Sequence, residues 1–330
     1  MNSMDDIFFA HCPQMQGIKN IINEIASTDI TVLIEGETGT GKEFIAQCLH
    51  QQSPRKEKPF IKVNCAAIPA TLLESECFGF EKGAFTGAHL NKPGKFELAN
   101  GGTILLNDIG EMDISIQGKL LQVLQDGQFS RLGGGADIAV DARVISTTNE
   151  PLEKAVGAGR FREDLYYRLN AMSITTPPLR DRRYQIAPLA KYFFELHRAK
   201  LGRPIPRLSV KLVRQLESYD WPGNIRELDN LMKRVVLFGE KEILADLLSV
   251  RRPGETQYSG IEGGPENELA LLNLKKVKKE ATEQAERKLI LQTLGETRWN
   301  RREAAKLLRI SYKTLLYKIQ RYQADNEKAP

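Results

Sequence analysis

Short apolar runs alternate with stretches of helical spacing through the first half of the chain. Residues 31–35, 60–64, 103–106, 142–147 and 172–176 each read as a strand. Between them, apolar positions recur every three or four residues. After Asp113, for example, Ile116, Leu120, Leu121, Val123 and Leu124 fall on one helical face. Such alternation predicts an α/β fold, a parallel sheet with helices on both faces. Pro177-Pro178 ends the pattern, and from about 180 to 250 the period is helical with no strand, as in a small helical subdomain. Residues 252–268 hold Pro253, Gly254, Gly260, Gly263, Gly264 and Pro265 and almost no periodic apolar position, which predicts a linker. Helical spacing then returns. The expected divisions are 1–176 for the α/β part, 177–250 for the helical subdomain, 251–273 for the linker and 274–325 for an all-α domain.

Composition narrows the class. Hydrophobic residues at 41% and charged residues at 27% fit a globular chain, neither disordered nor fibrous. The start, Met1-Asn2-Ser3-Met4-Asp5-Asp6, lacks the basic and apolar regions of a signal peptide. No run nears the roughly 18 apolar residues of a membrane span, so a cytoplasmic protein that meets no membrane is expected. Cys12, Cys48, Cys65 and Cys77 form no C-x-x-C pair and read as reduced, mostly buried thiols, while the four histidines are scattered without ligand spacing. The net charge of +5 is unevenly placed. Between positions 275 and 322 fourteen Lys or Arg face five Asp or Glu, a net of +9, which leaves −4 for the rest. A basic module on a mildly acidic body points to nucleic acid, with a solvated helix face as the plainer alternative.

Chemistry first appears at Gly36-Glu37-Thr38-Gly39-Thr40-Gly41-Lys42, which follows an apolar strand and opens a helical run. Strand, glycine loop and helix together make a phosphate-binding loop: backbone N–H groups curl round the β-phosphate and Lys42 reaches the β and γ oxygens. A glycine-rich turn with a surface lysine is the alternative. Glu43 stands where most such loops carry the Ser or Thr that holds magnesium. Magnesium and the attacking water call for carboxylates at a neighbouring strand end, and the candidate is Asn107-Asp108 after the strand 103–106. Asn107 offers a carbonyl oxygen but no charge, and Asp108 could polarise the water. Asn149, at the end of the strand Val144 to Thr148, is placed to orient that water or sense the γ-phosphate; an ordinary turn asparagine before Pro151 would look the same.

Residues 74–88 contain Gly83-Ala84-Phe85-Thr86-Gly87-Ala88. This string resembles the signature of the AAA+ activators of sigma-54 RNA polymerase, the bacterial enhancer-binding proteins. The resemblance runs from about residue 7 to 250 and resumes from about 281 to 322. It implies an ATP-binding and ATP-hydrolysing AAA+ domain with a helical lid, assembled as a ring, expected to be a hexamer, whose Gly83–Ala88 loop engages sigma-54 polymerase. Glycines flanking one aromatic suit a mobile loop with an apolar tip, although spacing alone reads Phe85 as a core anchor. Residues 159–169 are similar to the family's arginine-finger segment. Arg162 and Arg168 are thereby implied to reach the γ-phosphate held by a neighbouring subunit; taken alone, two arginines on a helix read as surface ion pairs. Trp221-Pro222-Gly223-Asn224-Ile225-Arg226 is similar to the lid's sensor segment, which makes Arg226 a γ-phosphate contact from the same chain.

Three positions depart from the family. Asn107-Asp108 replaces the usual Asp-Glu and Phe80 replaces the usual His, so hydrolysis is expected to be weakened more than ATP binding. Magnesium would be held through Asn107 and Asp108. The alternative function is a DNA-binding nucleotide sensor with weak or absent ATPase. An ATP-driven unfoldase is disfavoured by the basic end of the chain. There Asn300 reads as an N-cap with Glu303 three residues on, opening a helix over 301–308, and Ser311 as the cap of a further helix to 322. The pair resembles the Fis-type helix-turn-helix for double-stranded DNA, with Arg301, Arg302, Ser311, Tyr312, Lys313, Thr314, Tyr317 and Lys318 on the expected DNA side. A helical protein-interaction domain is the alternative. With the phosphate loop beginning at Gly36, no room is expected ahead of it for a sensing domain, and control is expected from a regulatory protein in trans or from expression level.

Overall fold

The computed structural model describes residues 4–10, 12–202, 208–240, 290, 293, 297, 300–308, 312, 314 and 315. The chain forms two compact units, Met1–Arg252 and Pro253–Pro330. The expected linker and the end of the helical subdomain past 240 lie outside the described residues.

In the first unit, α1 (Met4–Phe9) and α2 (Pro13–Ile25) lead to β1 (Val32–Glu35), α3 (Lys42–Gln51), β2 (Phe60–Asn64) and α4 (Ala70–Phe78). Then come a hairpin of β3 (Gly79–Phe80) and β4 (Lys92–Pro93), α5 (Lys95–Leu98), β5 (Thr103–Asn107) and α6 (Ile114–Asp126). A second hairpin, β6 (Gln128–Ser130) and β7 (Asp137–Ala139), precedes β8 (Arg143–Thr148), α7 (Leu152–Gly157), α8 (Glu163–Leu169) and β9 (Met172–Thr175). Five strands make one parallel sheet in the order β2-β5-β8-β1-β9. Each starts or stops within one residue of the run read from the sequence. Alternate side chains enter opposite layers, as the two-residue period requires: Val32 and Ile34 join one core, and Leu33 joins the other with Ile104 and Leu106. The register sets Glu35 beside Thr148 and Asn64 beside Asn107, so the carboxyl ends of the strands share one edge. Ligands of open parallel sheets bind along that edge.

Local signals explain the helices nearest the site. The Asp113 carboxylate accepts the Ser115 N–H at 2.9 Å and starts α6, which stops at Gly127 with φ of 65°. After β9 the chain turns through a 3₁₀ segment, Leu179–Gln185, into α9 (Ile186–Leu201), α10 (Val210–Ser218) and α11 (Asn224–Phe238). Ile186, Leu189, Ala190, Phe193 and Phe194 of α9 share a core with Leu228, Met232, Val235 and Val236 of α11. That core is continuous with the β1 side of the sheet, and all four cysteines are buried as free thiols.

Neither hairpin follows from the strand pattern. Strands of two or three residues are too short to show a period, and their pairing is set by the layer beneath them.

In the second unit α12 (Arg301–Leu307) begins at Asn300, whose Oδ1 accepts the Glu303 N–H at 3.4 Å and whose Nδ2 donates to Glu303 Oε2 at 3.2 Å. Ala304, Ala305, Ile290 and Leu315 bury one another, while Arg301, Tyr312 and Thr314 are exposed. The Arg302 side chain and Ser311, Lys313, Tyr317 and Lys318 lie outside the described residues.

Candidate nucleotide-binding site and partner loop

The loop from Gly36 to Gly41 joins the carboxyl end of β1 to α3, and Lys42 is the first residue of that helix. The Lys42 ammonium turns back to donate to the carbonyl of Glu37 at 3.0 Å and to Asn149 Oδ1 at 2.8 Å. Burial pushes its amine down to about 8, with Arg226 adding to the fall and Asp108 and Glu37 opposing it. Asn149 in turn donates from Nδ2 to Asp108 Oδ1 at 2.7 Å. One asparagine thus ties the loop lysine to the carboxylate at the end of β5. Asp108 itself sits in the left-handed region, φ 54°, which aspartate tolerates better than most residues.

A cleft of about 360 Å³ opens beside this chain of contacts. Thr38, Gly39, Gly41, Lys42 and Glu43 line it from the loop and the start of α3, Asn107, Asp108, Thr147 and Asn149 from the ends of β5 and β8, and Arg226 from α11. Met4, Phe8, Phe44, Phe193 and Ile225 line the apolar remainder, a surface suited to a flat base. Every residue placed in the phosphate site from sequence therefore lies on the loop or lines this cleft, except Arg162 and Arg168. Arg162 pairs with Asp164 at 2.8 Å, and Arg168 donates to the Leu124 carbonyl at 2.8 and 3.0 Å. Glu43 forms an ion pair with Lys62.

Several residues of the site carry no signal in the strand and helix pattern. Arg180 forks onto Glu37 at 2.9 and 2.5 Å and holds its carboxyl below the ordinary range. Asn224 donates to Glu37 at 3.2 Å and to the Thr38 carbonyl at 3.1 Å. It also accepts the Leu179 N–H at 2.7 Å, which fastens the lid to the loop. Arg182 is fully buried, donates to the Thr40 carbonyl at 2.5 Å and lies 5.2 Å from the Phe8 ring; burial lowers it to about 10. The run Arg180-Asp181-Arg182-Arg183 is charged throughout, and the approach of α1 and α2 makes Arg182 an internal brace.

The magnesium site expected from Asn107 and Asp108 is not matched by this donor set. The ion asks for oxygen ligands. Asp108 brings a carboxylate, but Asn107 Oδ1 accepts the Thr147 hydroxyl at 3.1 Å. The pair offers one carboxylate rather than two.

The Gly83–Ala88 loop lies within the β3–β4 hairpin. Gly83 N–H donates to Ala88 O at 2.9 Å and closes the loop on itself. Phe85 is 44% exposed, so it is no core anchor; its ring meets Phe80 edge-on at 4.9 Å. Glu81 N–H donates to Leu132 O at 3.0 Å, which ties this hairpin to the second one.

Three family models cover the chain in order: the Sigma-54 interaction domain over residues 8–175, the AAA+ ATPase lid domain over 180–254, and the bacterial regulatory protein, Fis family, over 281–322. The chain belongs to the sigma-54 activators. Regulatory protein AtoC of Escherichia coli is 43% identical over 95% of this chain and 67% of its own length. The Nif-specific regulatory protein of Azotobacter vinelandii is 41% identical over 96% of the chain and 59% of its own length. A crystal structure of NtrX from Brucella abortus in complex with ATP is similar with a TM-score of 0.66 and 29% identity, over 94% of this chain and 68% of that one. The fold is thus the AAA+ α/β fold with a helical lid, followed by a Fis-type helix-turn-helix. Among the described residues no helix is long and apolar enough to cross a membrane.

Proposed function

We propose that this sigma-54 activator binds ATP in the cleft between its phosphate loop and lid and spends the nucleotide on remodelling the closed complex of sigma-54 RNA polymerase. The observation that carries this reading is the half-exposed Phe85, set on a hairpin of the same unit that holds a complete phosphate loop. An aromatic left in water at a glycine-flanked tip is a surface for a partner to bury.

Each residue then has a task. Loop N–H groups and Lys42 hold the phosphates, and Arg226 adds a cation from the lid. Asp108 polarises the attacking water, and Asn149 holds Asp108 in place at 2.7 Å. Arg162 and Arg168 lie away from their own cleft, which suits donation to the γ-phosphate of a neighbour in a ring, with six subunits as the proposed number. Of the Asn107-Asp108 pair, only Asp108 would bring a carboxylate to a magnesium ion. The helix-turn-helix holds upstream double-stranded DNA through the side that includes Arg301, Arg302, Ser311, Tyr312, Lys313, Thr314, Tyr317 and Lys318. The protein works in the cytoplasm, under a regulator acting in trans.

Asn107 supports a second reading, a DNA-bound nucleotide sensor with weak turnover. ATP turnover measured across protein concentration separates the two. A specific rate that rises cooperatively supports an arginine-completed site between subunits. Tight ATP binding with no turnover at any concentration sinks the motor and leaves the sensor.

A further inference from the structure

The environment of Asn107 decides which end of its amide faces the cleft. Thr147 Oγ1 accepts the Asp108 N–H at 3.3 Å, so the hydroxyl must spend its own hydrogen elsewhere. It spends it on Asn107 Oδ1 at 3.1 Å. Asn107 and Thr147 both line the phosphate cleft, and among the described residues Asn107 Nδ2 has no hydrogen-bond partner. An aspartate at 107 would give one oxygen to Thr147 and keep a second for a metal. Asparagine keeps an NH₂ instead, a donor that no cation can use.

Charge runs the same way. Lys42 and Arg226 face the cleft, and each of its three carboxylates already has a partner: Glu43 has Lys62, Asp229 has His197 at 2.7 Å, and Asp108 has Asn149 at 2.7 Å. Without a carboxylate at 107, one fewer negative charge repels the phosphates, and a cation is needed less to offset repulsion from the protein.

We infer that Asn107 Nδ2 is a phosphate donor in place of a metal ligand, so that this chain holds the triphosphate with an affinity nearly independent of magnesium. The inference rests on the ATP reading above. It makes the departure from Asp-Glu a change of recognition, from metal-bridged to direct, and not merely a loss.

The test titrates the full chain with a non-hydrolysable ATP analogue by calorimetry, once in excess EDTA and once in millimolar magnesium. For the unmodified chain the two affinities should agree within about threefold. Asn107→Asp should bind about tenfold or more weakly in EDTA and recover with magnesium. Asn107→Ala, checked for an unchanged melting curve, should lose about tenfold in both media, because its donor is gone from both. A tenfold gain from magnesium in the unmodified chain overturns the inference and leaves ATP binding intact. So does an Asn107→Ala affinity equal to that of the unmodified chain in EDTA. If the unmodified chain binds in neither medium, the ATP reading falls and takes the inference with it.

Discussion

Two loops of this molecule look alike as strings, each a short run punctuated by glycine, and they use glycine for opposite reasons. At Gly39 of the phosphate loop φ is 81°, and an added Cβ would sit 2.4 Å from the Gly223 carbonyl and 3.1 Å from Arg226 Cβ. At Gly87 of the partner loop φ is 107°, and an added Cβ would meet nothing within 4 Å. The first glycine lets lid and loop backbones touch; the second only permits a turn in open solvent. A glycine motif therefore says that the backbone is unusual, not whether it is clamped or exposed. That difference matches the work proposed for them, a preorganised phosphate loop and a loop that offers Phe85 to another protein.

The largest effect should come from filling the clamped glycine. Gly39→Ala drives a methyl into the Gly223 carbonyl in addition to straining φ, so a loss of about 3 kcal/mol in urea unfolding is expected, with ATP binding abolished. A stable Gly39→Ala chain that binds ATP would break the contrast. Lys42→Ala should weaken ATP binding about a hundredfold, as removal of a charge-assisted phosphate contact does, while leaving any association of the Phe85 loop with sigma-54 intact.

Next is pH. Above about 8 the free chain loses the Lys42 proton, and bound phosphates restore it, so binding takes up a proton. ATP affinity should be flat below that value and fall by up to about tenfold per pH unit above it, as titrations across pH 7 to 10 would register. Lys42→Ala should flatten the profile.

The smallest effect on the chain itself belongs to the exposed loop. Phe85→Ala gives up one edge-on ring contact, so about 1 kcal/mol or less of stability is lost and ATP affinity stays unchanged, while capture of sigma-54 polymerase disappears. Gly87→Ala should cost about 1 kcal/mol from backbone strain alone. If it destabilises as much as Gly39→Ala, the comparison fails.

The five-stranded sheet and the phosphate loop were legible because each follows from local pattern. A short strand-like run centred on Val32, Leu33 and Ile34 before a glycine loop allows few other structures, and β2 occupies the same residues, 60–64, that read as a strand from the sequence. The N-cap at Asn300 was legible for the same reason, since the cap and its target N–H are three residues apart. Phe85 was harder. Its spacing suits a core, and only the hairpin geometry leaves it half in water.

The chain's own order of residues determined the layer architecture, the phosphate loop, the acidic position at 108 and the basic helical end, because period, capping and motif are local properties. The tertiary structure alone decided which way each ambiguous side chain faces. Arg182 is internal because Phe8 and Met15 close over it from more than 160 positions away, and the Asn107 Oδ1 is taken by Thr147 because that residue, on the neighbouring strand, has one hydroxyl hydrogen to give. Those partners are distant in sequence and adjacent in the sheet, and hydrogen-bond direction is settled by the neighbour as much as by the residue itself.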